Sequence, residues 1–221
     1  KGPNLFFNSV VAINIENGQY NWHFQEIEHD VLNLDLASRP ALYDSEAGDI
    51  VIQASKAGQL ILLDRKTGVP KEKFIEKIYY HDEKREIFTK FKKFDDWLQF
   101  SKINFSDNDI NELTEEYKQE ALKIIKNSLI AEYRSLSKDK YHIHYGMHGG
   151  SEWPGIGVDK NGNVIVPASN IAWMSKLKNP KDFDFIFHIK KIFFFFLNLF
   201  IYNFKKFKAN VKNIIYNLKK I

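Results

Sequence analysis

An all-β fold made of hairpin units, interrupted by one inserted α-helix, is what the sequence predicts. Three observations predict it. Two strand–turn–strand patterns set Gly18 and Gly68 50 residues apart, about the length of one four-stranded propeller blade. A third turn signal, Asn161-Gly162, lies between two β-rich runs. One stretch, after Thr114, carries a helical period instead.

The first unit is "NSVVAINIENGQYNWHFQ", Asn8–Gln25. Val10, Ala12 and Ile13 supply an apolar run, and Asn17-Gly18 is a type I′ turn signal. Tyr20, Trp22 and Phe24 then alternate on one face, with Trp22 as core packing. The second unit, "GQLILLDRKTGVPKEKF" (Gly58–Phe74), turns at Lys66-Thr67-Gly68. Arg65 beside this turn reads as a blade-edge salt bridge. The third is "GIGVDKNGNVIVPASNIAW", 155–173. Residues 1–72 and 146–175 therefore read as blades, and about 73–145 as an insert between them. Lys71–Phe105 is charged and weakly patterned, so it reads mostly as loop. In "LTEEYKQEALKIIKNSLIAEY" Thr114 is an N-cap with Glu115 and Glu116 in the first turn. Tyr117, Ala121, Leu122, Ile125 and Leu129 share a face of the resulting helix, about 115–130.

The 221 residues suffice for one or two domains with a sizeable core. There is no Cys, which excludes a disulfide framework, a thiolate metal site and a Cys nucleophile. The chain begins at Lys1 without a Met or a signal peptide and reads as an interior piece of a longer protein. Its net charge of +4 comes from the tail: residues 182–221 carry eight Lys and two Asp, leaving 24 basic against 26 acidic side chains elsewhere. The body thus offers no nucleic-acid surface.

The tail, 178–221, is a low-complexity segment. Ten of the 19 Phe lie between Asp182 and Ile221, a stretch with no Gly, Pro, Ser or Thr. A membrane-surface helix with Lys flanks is one reading; an ordinary helical extension is another. The bracketed apolar stretch is about 13 residues, short of the roughly 20 a spanning helix needs. The residue types are those with AT-rich codons, so a lost reading frame near Asp182 fits best.

Several stretches together carry a resemblance. "AINIENGQYNW" (12–22) resembles the tryptophan-docking motif of the pyrroloquinoline quinone (PQQ)-dependent dehydrogenase family, quinoprotein glucose/alcohol dehydrogenase type. "EHDVLNLDLASRPAL" resembles the segment bearing that family's catalytic carboxylate, and "QASKAGQLILLDRKTG" the strand whose Lys contacts the quinone. "HGGSEWPGIGVDKNGNVIVPASNIAW" resembles a later Gly-Gly-x-x-Trp blade, and "NELTEEYKQEAL" the inter-blade insert. The likeness covers about 1–177 and implies part of an eight-bladed β-propeller.

The resemblance also implies chemistry. The quinone takes hydride from a sugar or an alcohol, a base takes the hydroxyl proton, and calcium and a nearby cation stabilise charge on the quinone oxygen. Lys56 aligns with the quinone-contacting Lys, and Glu152 and Trp153 with a Glu-Trp near the cofactor. Asn33 stands where the catalytic Asp is expected. An amide is no general base, but it can offer an oxygen to calcium, whose other ligands are expected upstream. Asp35, on the same side of a strand as Asn33, is the substitute base. Leu32 replaces an expected Trp. Pro167 stands near an expected Asn, with Asn170 the nearest polar candidate. His29 and Asp30 match a His–Asp pair, read as a structural hydrogen bond or as catalytic. The implied partners are a small-molecule sugar or alcohol and a membrane quinone or cytochrome as electron acceptor, in a periplasmic or periplasm-facing membrane-associated setting. A non-catalytic propeller scaffold and a broken gene product are the competing readings.

Overall fold

A computed structural model describes residues 2–46, 48–110, 114–147 and 150–178. Lys1–Leu177 forms one compact unit. The tail, with the readings attached to it, lies outside the described residues. Those residues form five small sheets and one α-helix, an all-β architecture with a single helical insertion.

Strands β1 (Ser9–Ile13) and β2 (Tyr20–Gln25) pair antiparallel from Ser9↔Gln25 to Ala12↔Trp22, then slip at Ile13↔Tyr20. A two-residue type I′ turn needs positive φ at both central positions. Here only Gly18 has it, at 71°, and the turn is longer than the Asn-Gly signal implied. Gly18 N donates to Asn14 O and Asn14 N to Gln19 O, both at 2.8 Å. Trp22 and Phe24 are buried as expected, while Tyr20 is exposed. The short strand β3 (Ile27–Glu28) follows.

Next comes a meander of β4 (Ala41–Tyr43), β5 (Ile50–Ala54) and β6 (Leu60–Asp64). Its exit turn repeats the first: Gly68 N donates to Asp64 O and Asp64 N to Val69 O, again at 2.8 Å. In each turn the side chain of the first residue, Asn14 or Asp64, accepts from the backbone N–H two residues on. The two turns then meet the fold differently. Trp22 Nε1 donates to Arg65 O at 3.1 Å, and its ring lies over Gly68. A Cβ on Gly68 would sit 2.4 Å from Trp22 Cε3, whereas one on Gly18 would meet nothing within 4 Å. Arg65 bridges Asp44 at 2.5 Å and Asp49 at 3.8 Å, the salt bridge its position suggested.

Lys71–Phe105 is not all loop but contains a long hairpin. Strands β7 (Phe74–Tyr80) and β8 (Phe88–Phe94) form a seven-pair antiparallel hairpin, and β8 also pairs with β3. The charged residues hid it. Thr89 and Phe91 point inward, while Lys90 and Lys92 reach Glu28 and Lys77 reaches Glu132 at 2.6 Å. Lysine stems can cover apolar surface with the ammonium at the rim, so the period-2 signal survives only in Thr89 and Phe91.

Helix α1 (Glu115–Lys126) begins where Thr114 caps Tyr117 N at 3.2 Å. It ends four residues before the predicted boundary. Leu129–Ile130 instead form β9, parallel to β10 (His142–His144). Ala121, Leu122 and Ile125 are half-buried, but Tyr117 is exposed. The third unit is a short hairpin of β11 (Gly157–Val158) and β12 (Val164–Ile165). Trp173 lies in β13 (Trp173–Ser175), which pairs with β10 rather than with that hairpin.

One core cluster joins Trp22, Phe24, Val51, Ile61, Leu63, Phe94 and Leu98 across β2, β5, β6 and β8. Ile27, Leu32, Leu34, Ala57, Phe91 and Tyr133 form a second. The twin turns allow a controlled comparison. Gly18→Ala should cost only the left-handed backbone penalty, about 1–2 kcal/mol. Gly68→Ala adds a clash with Trp22 and should cost about 2–4 kcal/mol. Urea midpoints of the two variants measure the difference; equal midpoints would mean that Trp22 does not bear on the turn.

Candidate functional site

The second core cluster carries the site. Leu32 and Leu34 point inward, which leaves Asn33 exposed and Asp35 half-exposed. The segment is not the strand its alternation suggested. Asn33 takes φ 60°, a left-handed conformation that Asn tolerates better than most residues. What holds the backbone there is Asp30. Its Oδ1 accepts from Leu32 N at 2.8 Å and from the Tyr133 hydroxyl at 2.5 Å. Its Oδ2 accepts from Leu34 N at 2.6 Å and from Asn8 Nδ2 at 3.1 Å. Tyr133 closes the knot by accepting from Val31 N at 2.7 Å. Burial and the adjacent Asp30 carboxylate push the Tyr133 hydroxyl above the usual phenol range. Asp30 is thus a structural hub, and the partner of the His29 ring is Asn4 rather than Asp30.

Lys56 lies in the turn between β5 and β6, not at a strand start. Gly58, with φ 82°, closes that turn by donating to Ser55 O at 3.0 Å. The Lys56 side chain is only 7% exposed. Its ammonium lies 2.7 Å from Asp35 Oδ1 and 3.7 Å from Glu152 Oε1. A buried ammonium needs such partners, and Asp35 and Glu152 supply them from two segments far apart in sequence.

Glu152 follows Gly150 by two residues. Gly150 passes so close to the turn that a Cβ there would lie 2.4 Å from both Ser55 O and Lys56 O. Ser151 N then donates to Ser55 O at 3.1 Å. A buried polar seam ties the three segments: Gln53 Nε2 donates to Ser38 O at 2.8 Å, and the Ser151 hydroxyl donates to that of Ser38 at 3.3 Å.

Asn33, Lys56, Met147, Glu152 and Trp153 line one solvent-open cavity of about 340 Å³. Trp153 is 81% exposed and presents an aromatic ring at its wall. Asp35 is not among the lining residues; it reaches the cavity through Lys56. Asn170 is elsewhere, accepting from Lys102 N at 2.7 Å. Among the described residues no group of three His, Cys, Asp or Glu is placed to hold a metal ion.

The sequence reading missed a second layer beneath Lys56. Glu26 is fully buried and accepts from Gln59 Nε2 at 2.8 Å, while Gln59 Oε1 accepts from Phe94 N at 2.9 Å. Burial pushes the Glu26 carboxyl up to about 7, against the opposing pull of Gln59 and Ser55. The signal was present in "QASKAGQ", where Gln53, Ser55 and Gln59 interrupt an apolar run at positions that proved buried.

Comparison with known proteins gives one consistent result. The sequence model of the family described as PQQ, "Glucose/ethanol/alcohol dehydrogenase, beta-propeller domain", matches residues 1–190. Quinoprotein glucose dehydrogenase A of Acinetobacter calcoaceticus is 29% identical over 182 residues, covering 79% of this chain and 22% of that one. The dehydrogenase subunit of a quinone alcohol dehydrogenase from Gluconobacter oxydans is 36% identical over 77 residues, 31% of this chain and 10% of that one. Lupanine 17-hydroxylase [cytochrome c] of a Pseudomonas species is 32% identical over 83 residues, 36% and 11% of the two chains. The chain therefore spans about a fifth or less of the length of these relatives. No solved structure matches it.

The Asp30 knot can be tested by Tyr133→Phe. That change removes a hydrogen bond to a carboxylate and orphans Val31 N, so the chain should lose about 1.5–3 kcal/mol in urea denaturation. A loss under about 0.5 kcal/mol would mean that the other three donors to Asp30 suffice.

Proposed function

The chain belongs to the PQQ-dependent glucose/ethanol/alcohol dehydrogenase β-propeller family, and from that premise we propose that it is the quinone-facing portion of a dehydrogenase acting on a sugar or an alcohol. The observation that carries the reading is the convergence of Asn33, Lys56, Glu152 and Trp153 on one cavity. The full enzyme would be an eight-bladed propeller in a periplasmic or membrane-associated setting, passing electrons to a membrane quinone or a cytochrome. The chain by itself would be inactive.

The residues at the cavity suit a planar heteroaromatic quinone. Trp153 offers a ring face for stacking. Lys56 offers an ammonium with three donors, of which Asp35 takes one at 2.7 Å while Glu152 stands at 3.7 Å. A remaining N–H is available for an oxygen in the cavity. When bound, the quinone supplies the hydride acceptor. Lys56 would direct its ammonium at an oxygen of the bound quinone and so favour negative charge there, and Asp35 and Glu152 fix the ammonium's position. We assign the substrate's proton to Asp35, the carboxylate held directly against Lys56 at 2.7 Å; because Asp35 stands outside the cavity lining, it would take the proton through one bridging water. For calcium the site is incomplete: Asn33 and Glu152 fall short of the six to eight oxygens that ion takes.

A second reading is a non-catalytic propeller module. Asn33 favours it, because an amide at the position of the family's carboxylate removes a base. Two measurements separate the readings. First, PQQ should quench the fluorescence of Trp153, and Lys56→Ala should weaken that binding; no quenching would favour the scaffold. The same mixture with calcium should oxidise neither glucose nor ethanol above a no-protein control, and turnover would refute the inactivity of the isolated chain.

Second, residues 28–60 can be grafted into a full-length quinoprotein dehydrogenase. Asp35→Asn should then lower turnover by about 10²–10⁴-fold, the usual worth of a general base, and Asn33→Asp should change it little. A sharp gain from Asn33→Asp with full activity in Asp35→Asn would show that Asp35 is not the base.

A further inference from the structure

Behind the cavity, and touching nothing in it, lies Glu26. It sits in the link between β2 and β3, is 0% exposed, and has one carboxylate oxygen, Oε2, without a hydrogen-bond partner. Its other oxygen holds Gln59 Nε2 at 2.8 Å. Gln59 is the last residue of the turn that carries Lys56. Gln59 N donates to the Ser55 hydroxyl at 3.2 Å, and Ser55 N donates to Gln59 O at 3.0 Å. One end of the turn, Gln59, is therefore fastened to the buried carboxyl, and the other end, Ser55, is fastened to Gln59. We propose that Glu26 is a positioning residue for Lys56: through Gln59, which is itself tied to Ser55, it clasps the turn that aims the ammonium.

The clasp follows from what surrounds the carboxyl. Gln59 and Ser55 face it from the turn, Lys92 from β8 and Asp30 from the loop after β3. Lys92 favours the charged form, but its Nζ is already bound to Gln25 O at 2.9 Å, with Glu28 at 3.5 Å. Asp30 disfavours it, and so, above all, does burial. A charge in this position is relieved by letting water in, and the Ser55–Gln59 turn is what covers it. The sign is fixed. A carboxyl held near 7 in the closed turn and at its ordinary 4.5 in the opened one favours closure at low pH. Closure weakens as pH rises from 4.5 to about 7 and levels off above it, by at most roughly three-hundred-fold in all. The catalytic relevance of Lys56 rests on the quinone reading above; the clasp does not.

Amide hydrogen exchange of the full 221-residue chain tests the clasp without any quinone. After correction for intrinsic exchange, protection at Gly58 and Gln59 should fall more than ten-fold between pH 5 and pH 8. In Glu26→Gln, which keeps an oxygen for Gln59 Nε2 but cannot ionise, protection should stay high and flat within two-fold. Acylation of Lys56 by a water-soluble ester, measured against exposed Lys123, should rise over the same range in the parent and not in the variant. If Glu26→Gln does not fold, Gln59→Leu cuts the clasp from the other side and should leave Gly58 unprotected at both pH values. A flat parent profile, a parent-like profile in Glu26→Gln, or normal protection in Gln59→Leu overturns the proposal. So does an equal fall at Ile52 and Leu62, which would mean that the whole blade opens. A failed quinone titration would leave all of these outcomes unchanged.

Discussion

The site depends on one close approach. Gly150 crosses the Ser55–Lys56 peptide with no room for a Cβ, which would lie 2.4 Å from two carbonyl oxygens. Gly146 meets the next peptide, Lys56–Ala57, with Lys56 O at 3.0 Å and Leu34 Cδ2 at 2.5 Å from its hypothetical Cβ. At these two points glycine lets the chain approach the turn that carries Lys56. Because it does, Ser151 N can reach Ser55 O, and Glu152 then falls beside the ammonium. Positive φ at both glycines, 101° and 58°, adds a conformational reason for the same residue type.

A buried ammonium under such a crossing is costly unless compensated. Compensation here is spread over shells. Asp35 and Glu152 meet the charge directly. Asp30, with four donors, fixes the loop that delivers Asp35. Gln53, Ser38, Ser55 and Ser151 knit the backbones beneath. Each of these polar groups is buried or half-buried, so each requires its partner. The apolar clusters supply most of the favourable burial. The polar seam determines where Lys56 points.

Much of this was legible in the sequence, for definite reasons. The Gly18 and Gly68 turns were visible because positive φ selects Gly, and Trp22 because a lone Trp at that offset needs a covering turn. Thr114 announced the helix through its cap. Lys56, Asn33, Glu152 and Trp153 were legible only through resemblance, since nothing local distinguishes a buried Lys from a solvated one. What stayed hidden shares a cause. In the β7–β8 hairpin Lys90 and Lys92 alternate with buried Thr89 and Phe91 and mask the period, and Leu129–Ile130 continue a helical period yet pair with β10. Glu26 and Gln59 look like surface residues by type. In each instance tertiary partners, Glu28, Glu132 and the turn around Ser55, overrode the local signal.

Asn33 shows how backbone and charge can be separated at one position. Its left-handed conformation does not demand an amide, because Asp also enters that region more readily than most residues. The Asp30 hydrogen bonds to Leu32 N and Leu34 N would hold the loop for either side chain. The choice of Asn therefore acts on charge. Lys56 with Asp35 and Glu152 makes a cluster of one cation and two anions, already negative overall. A carboxylate at position 33 would add a third anion on the wall of the same cavity, a burden that a divalent cation relieves. With an amide there, the cluster is closer to balance by itself and attracts a cation less strongly. An amide at position 33 thus lowers the cavity's demand for a cation.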